Sequence, residues 1–298
     1  MGIDRIDSLF ARSRSEKRTV LVAYLTVGDP SVEDSYACAR AALEAGADML
    51  ELGVPFSDPT ADGPVIAAAS YRAIQNGGSL KRTLEVASRL RTETDAPFVL
   101  FSYYNPLISF GAAELPANAA AAGVDALLVV DLPPEEGAEL RQAASEAGLA
   151  MVPLVAPTTG NERVGSVVAG ARGFIYYVSV TGVTGAIAGS QGVGSLGAGG
   201  QNAPDASQPL RAAGEAARAL GARTGLPVAV GFGIGTPEQA RLVADHGVEA
   251  VVVGSAIVKA IAAATDTAGR VAAVKQLVGS LRAALDGAVV KGAGSEGR

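Results

Sequence analysis

The chain has 298 residues, 49% of them apolar, and a net charge of −6 with one cysteine, one histidine and no tryptophan. An acidic balance without a dense Lys/Arg cluster argues against nucleic acid as a partner, and the lone Cys38 excludes an intrachain disulfide, as expected for a reducing cytoplasm. One Cys and one His exclude a Cys/His zinc site and argue against a Ser-His-Asp triad; the histidine, His246, reads as a surface or capping residue at a helix-to-strand turn.

In chain order, the first predicted element is a helix from about Ile3 to Arg14, in which Ile3, Ile6, Leu9 and Phe10 share one face. The segment around it, MGIDRIDSLFARSRSEK, has no apolar core of signal-peptide type. No later stretch approaches the roughly 18 uninterrupted apolar residues of a membrane span. Eight short apolar runs follow. They are TVLVAYLT from Thr19, DMLELGV from Asp48, PFVLFSYY from Pro97, VDALLVVDLP from Val124, LAMVPLVAP from Leu149, GFIYYVSV from Gly173, LPVAVGFG from Leu226 and VEAVVVGS from Val248. Continuous rather than alternating apolar runs predict strands buried on both faces, as in parallel sheets. Segments of helical period lie between them, and the repeated AGAD, AGVD, AGLA and HGVE place a glycine at each helix end. Eight such βα units close most simply into a (β/α)8 barrel of the TIM type, with the first helix as a plug over its bottom. The alternative is an open doubly wound sheet, against which stands the absence of a G-x-G-x-x-G turn after the first run.

One segment after the sixth run has neither period. From Gly185 to Pro209 it reads GAIAGSQGVGSLGAGGQNAPDASQP, without Lys or Arg. A loop of this length is expected to be a lid or a disordered insertion. The expected domain organisation is a single barrel over 1–286, with a disordered tail over 287–298.

The second run raises a question about chemistry, because ELGVPFSDPTADGP places a glutamate inside an apolar strand and then an acidic, proline-rich loop. Alternation puts Glu51 on the face of Met49 and Gly53, near the strand end where barrel active sites are built. Pointing inward, its carboxyl would be desolvated and its pKa raised, which suits a group that both gives and takes protons. The bland alternative pairs Glu51 with a buried Arg or a loop amide. Asp62 could fold back over the same mouth, although ADGP, like the SDP around Asp58, is also an ordinary turn sequence. Asp131, after the fourth run, is a third strand-end carboxylate.

The last two runs carry another signal. Glycines 231, 233 and 235 precede a helix start in which Thr236 reads as N-cap, Pro237 as N1 and Gln239 as the capping-box partner. After the eighth run, Gly254 and Ser255 open a short helical stretch. Two glycine turns on consecutive final strands form the usual phosphate site of such barrels. A phosphorylated substrate anchored there would reach toward Glu51 and Asp62. With no metal cluster and no strand-end lysine evident, carboxylate acid–base chemistry remains.

These residues also carry a resemblance. ELGVPFSDPTADGPVI is similar to the signature of the tryptophan synthase alpha chain family, and YLTVGDP, TGVTGA, GFGI and GSAIVK resemble further motifs of that family in order over nearly the whole chain. The resemblance implies a lyase of tryptophan biosynthesis that cleaves indole-3-glycerol phosphate by retro-aldol chemistry to indole and glyceraldehyde 3-phosphate. It implies Glu51 as the main acid–base group and Asp62 as the partner of the indole N–H. It further implies phosphate contacts from Gly185, Gly233, Gly254 and Ser255, and an indole pocket lined by Tyr24, Phe101, Tyr176 and Phe232. The implied partner is a beta chain in an α2β2 heterotetramer, facing the loops after the second and sixth strands. Pyridoxal phosphate would be held by that partner alone, so this chain would need no cofactor. The sequence departs from the family pattern in one place, where Val180 and Ile187 occupy positions at which many members carry an Arg; the departure bears on lid closure. Two other readings fit parts of the pattern: another phosphate-binding barrel enzyme of the same pathway, and a non-catalytic subunit that activates a beta chain.

Overall fold

The computed structural model describes residues 2–178, 207–231 and 233–287. The glycine-rich segment after the sixth run lies outside these residues over 179–206, as does the tail over 288–298. The described elements, in chain order, are α1 Gly2–Glu16, β1 Val20–Thr26, α2 Val32–Glu44, β2 Met49–Gly53, α3 Pro64–Gln75, α4 Leu80–Arg91, β3 Phe98–Ser102, α5 Tyr104–Phe110, α6 Leu115–Ala121 and β4 Ala126–Val129. They continue with α7 Ala138–Glu146, β5 Ala150–Met151, β6 Leu154–Val155, α8 Asn161–Val167, β7 Ile175–Val178, α9 Gln208–Thr224, β8 Val228–Gly231, α10 Pro237–Ala244, β9 Ala250–Val253, α11 Ser255–Ala263 and α12 Thr267–Asp286.

All the strand pairings are parallel, and the sheet runs β5-β4-β3-β2-β1-β9-β8-β7-β6. The two ends of that order, β5 and β6, are consecutive in the chain, so the sheet curls round on itself as a TIM-type barrel. Each apolar run forms a strand, except that the fifth forms two short pieces. Pro153 interrupts it because a proline has no N–H to donate. The break leaves the ring connected: Val152 N donates to Leu127 O at 2.9 Å on one side, and Pro153 O accepts from Tyr176 N at 2.9 Å on the other.

The strand alternation sorts side chains into two cores. Leu50 and Leu52 of β2 point outward into the cluster shared with the helices. Met49 points inward, with Val22 and Tyr24 of β1, Val99 and Phe101 of β3, Leu128 of β4 and Tyr176 of β7. The inner cluster also holds Ile3, Ile6, Leu9 and Phe10, so α1 plugs the barrel. Phe10 meets Phe174 with ring centroids 5.8 Å apart. Burying each such aliphatic or aromatic side chain contributes roughly 1.5–3 kcal/mol. Arg5 of α1 reaches the fully buried Asp125 at 2.9 Å, and Asp125 also accepts from Arg91 and from Phe98 N, both at 2.7 Å. A buried carboxylate is tolerable only with that many donors.

Helix ends follow the sequence signals. Thr236 and Gln239 form the expected capping box on α10, with a proline in its first turn. The glycines that end helices before β2 and β9, Gly46 and Gly247, take φ of 107° and 79°, a left-handed conformation that side chains disfavour. His246 sits half-buried in the turn before β9, and its ring packs where a Cβ on Gly214 of α9 would fall. Cys38 is buried in α2, where burial pushes its thiol up to about 12, too high to act as a nucleophile. Among the described residues, no helix is long and apolar enough to cross a membrane, and no group of three His, Cys, Asp or Glu side chains is placed to hold a metal ion.

Candidate active site

Glu51 sits at the centre of β2. Register places Tyr24 of β1 beside it on one side and Val99 of β3 on the other. Its side chain shares the inward face with Met49, is 1% exposed, and has an Oε1 that makes no hydrogen bond. No ion pair reaches it among the described residues, so the pairing with a buried Arg is not what the strand builds. Burial alone raises its pKa to about 8.

Asp62 stands at the end of the loop between β2 and α3, immediately before Gly63, the N-cap of α3. The loop turns twice, through Thr60 N to Asp58 O at 2.9 Å and Asp62 N to Pro59 O at 3.0 Å. Asp58 therefore contributes a backbone carbonyl to the turn. Asp62 Oδ2 accepts a hydrogen bond from the Tyr103 hydroxyl at 3.1 Å. Burial raises its pKa to about 6, against the lowering effect of that hydrogen bond. The helix that follows is fixed by a bidentate contact: Arg72 of α3 donates to both oxygens of the buried Asp29, after β1, at 2.8 and 2.7 Å.

One cavity brings the predicted residues together. Glu51, Asp62, Tyr24, Phe101, Tyr176, Gly233, Gly254 and Ser255 all line it, with Ile66, Ile234 and Val252. Of the remaining candidates, Gly185 and Phe232 lie outside the described residues, as do Val180 and Ile187. Tyr24 meets Phe101 edge-on at 5.3 Å and bonds Thr26 Oγ1 through its hydroxyl at 3.2 Å. The tyrosines fit because the strands recede beside them. A Cβ at Gly53 would strike the Tyr24 ring, and one at Gly231 would strike the Tyr176 hydroxyl. The walls are thus mostly aromatic and apolar, with two carboxyls among them.

The part of the lining that follows β8 and β9 is built largely from backbone, at Gly233 and Gly254. Gly233 takes a φ of 81° in the turn after β8. Gly254 is the N-cap of α11, and no side chain caps that helix. The neighbouring α10 differs, because the Gln239 side chain occupies Gly235 N at 2.8 Å and Thr236 N at 3.1 Å. Of the two helix starts, α11 is the one that no side chain caps among the described residues, and its first residues Gly254 and Ser255 line the cavity, a setting that suits an anion.

Asp131 does not line this cavity. It lies two residues beyond β4 and accepts from Tyr104 N at 2.7 Å, tying the loop after β4 to the start of α5. It lines a different cavity between α7 and α8, of about 340 Å³ against about 40 Å³ for the one holding Glu51. The larger space contains none of the residues proposed for acid–base work, so size does not decide between the two. Tyr103 is not among the residues that the sequence singles out, although it carries a signal. It stands two residues after Phe101, on the same face by the period of a strand.

Comparisons with known proteins agree with this fold. The family model described as the tryptophan synthase alpha chain matches residues 10–286. Tryptophan synthase subunit alpha from Legionella pneumophila str. Paris is 32% identical, covers 95% of this chain and 98% of its own, and superposes with a TM-score of 0.80. A structure from Aquifex aeolicus VF5 is 33% identical over 96% of this chain and 99% of its own, with a TM-score of 0.80. Tryptophan synthase from M. tuberculosis in its aminoacrylate-bound form is 30% identical over 94% and 99%, with a TM-score of 0.78.

Proposed function

The chain belongs to the tryptophan synthase alpha chain family, and from that premise we propose that Glu51 and Asp62 are the acid–base pair of the family's reaction. That reaction is the lyase cleavage of indole-3-glycerol phosphate, the alpha-subunit step of tryptophan biosynthesis. The observation that carries the assignment is the Glu51 carboxyl, buried, without a cation beside it among the described residues, raised to about 8 and sharing a cavity with Asp62. A group with a pKa near the working pH can serve as acid and then as base. Glu51 gives its proton to C3 of the indole ring, leaving positive charge over C2 and N1. The Asp62 carboxylate accepts the N1–H hydrogen bond and stabilises that charge. The bond from C3 to the glycerol carbon then breaks, and its electron pair returns to the ring. Glu51 takes the proton of the adjacent hydroxyl as that carbon becomes an aldehyde, and is ready for the next turnover.

Tyr24, Phe101, Tyr176 and Phe232 are assigned to the indole ring, and Gly185, Gly233, Gly254 and Ser255 to the phosphate. The uncapped start of α11 supports the second assignment. Ser255→Asp tests it, because an acidic first-turn residue suits a helix but repels a phosphate. Its KM for indole-3-glycerol phosphate should rise on the order of a hundredfold, while affinity for free indole stays near wild type. Equal losses for both ligands would move the phosphate elsewhere.

We assign the chain a beta-chain partner in an α2β2 assembly, with pyridoxal phosphate on the partner alone, and a cytoplasmic location. The resemblance of the loop after β2 and the similar structures described as tryptophan synthase support this reading. The test is to mix indole-3-glycerol phosphate with the purified chain, with and without a beta chain, and to measure indole. Slow release alone and a marked rise with the partner are expected. Release that never exceeds buffer in either mixture would make the chain a non-catalytic activator.

A further inference from the structure

The loop that carries Asp62 has no helix or strand of its own, yet its final residues must hold a carboxylate steady over the substrate. Tyr103 contacts it at both ends. The ring, only 3% exposed, packs against Phe56 at the start of the loop with centroids 5.0 Å apart. The hydroxyl sits at the other end, accepting from Ala61 N at 2.9 Å and donating to Asp62 Oδ2 at 3.1 Å. With one lone pair taken by the Ala61 N–H, the hydroxyl proton is directed at the carboxylate. The backbone of Tyr103 is itself fixed. It follows β3 directly, and the next residue donates its N–H to Asp131 beyond β4 at 2.7 Å.

We infer that Tyr103 is a positioning residue for the reaction: its hydroxyl holds the Asp62 carboxylate, and the loop behind it, in the orientation from which Asp62 meets the indole N–H. The inference rests on the assignment of Asp62 made above. A carboxylate that receives a neutral hydroxyl hydrogen bond keeps one oxygen occupied and presents the other. Only partly buried at the end of a loop, Asp62 without this bond would rotate among staggered conformers, and each rotation away from the ring removes the stabilisation of developing charge.

Among the described residues, the titratable groups facing Asp62 are Tyr103, Tyr24 of β1, Tyr176 of β7 and Glu51 of β2. Burial holds all three phenols well above their ordinary range, so none ionises at working pH. Glu51 titrates on the alkaline side, near 8. A change confined to the acid limb of the activity profile therefore reports Asp62.

The experiment uses Tyr103→Phe, which keeps the ring against Phe56 and deletes only the hydroxyl. Indole release is measured across pH for the wild type, Tyr103→Phe, Asp62→Asn and the double variant, each with a beta chain. In Tyr103→Phe, kcat should fall about tenfold or more with KM changed by less than about threefold. Because the lost hydrogen bond favoured the ionised carboxylate, the acid limb should move to higher pH and the alkaline limb should stay. The substrate phosphate also titrates on the acid side, but it is common to both enzymes and drops out of the difference. In the Asp62→Asn background, removing the hydroxyl should cost little further. An unmoved acid limb, or the same fractional loss in both backgrounds, would show that Tyr103 merely packs. Wild-type turnover in Asp62→Asn would overturn the role of Asp62 first, and that of Tyr103 with it.

Discussion

Glu51→Gln should abolish indole release while leaving the protein folded, with kcat lower by roughly a thousandfold or more. The amide has nearly the size and shape of the carboxylic acid, so the packing against Tyr24 and Val99 persists. An amide cannot give a proton to indole C3 and cannot take one from the glycerol hydroxyl. Both halves of the reaction therefore lose their agent, and no neighbour among the described residues replaces it, because the other titratable groups lining the cavity there are Asp62 and phenols whose protons are held too tightly. The substitution should not destabilise the fold. The native carboxyl is already desolvated, with an Oε1 that makes no hydrogen bond. Melting curves of the two proteins should nearly coincide, and turnover above about a tenth of wild type would remove Glu51 from the role assigned to it.

Asp62→Asn should also be severely impaired, by on the order of a hundredfold or more in kcat, yet should still bind substrate. The asparagine can accept the Tyr103 hydrogen bond, so the loop holds its shape. It lacks the negative charge that offsets the cation formed when C3 is protonated. That charge develops only during reaction, so its loss falls on kcat, whereas anchoring belongs to the phosphate end of the cavity. Titration with a non-cleavable substrate analogue separates the two effects. Affinity that collapsed in step with turnover would make Asp62 a binding residue.

The fold was readable where the chain repeats a simple physical pattern. Each apolar run became a strand because burial on both faces demands continuity, and α1 announced its plugging face through Ile3, Ile6, Leu9 and Phe10. The inward aim of Glu51 followed from the period of two once Leu50 and Leu52 were given to the helices. The fifth run was less legible. Its pieces β5 and β6 reflect a missing donor at Pro153, although the carbonyl there still serves the ladder. Asp131 and Glu51 look alike in the sequence as carboxylates of apolar runs, but Glu51 stands within β2, whereas Asp131 lies two residues beyond β4 and turns to Tyr104 N. The surroundings of Asp62 were the hardest to foresee. They depend on Tyr103, 41 positions away in the chain, and only the packing of β3 beside β2 makes the two adjacent.

The most direct measurement of the acid–base assignment is the pH dependence of kcat/KM for indole release. Asp62 must be ionised to meet the indole N–H, and its carboxyl is raised to about 6, so activity should rise as pH climbs through that value. Glu51 must start protonated, and its carboxyl is raised to about 8, so activity should fall as pH climbs through that value. The expected profile is a bell whose alkaline limb belongs to a carboxylic acid, an unusual position for such a group. A rate that stayed level or kept rising well above pH 8 would contradict Glu51 as the proton donor.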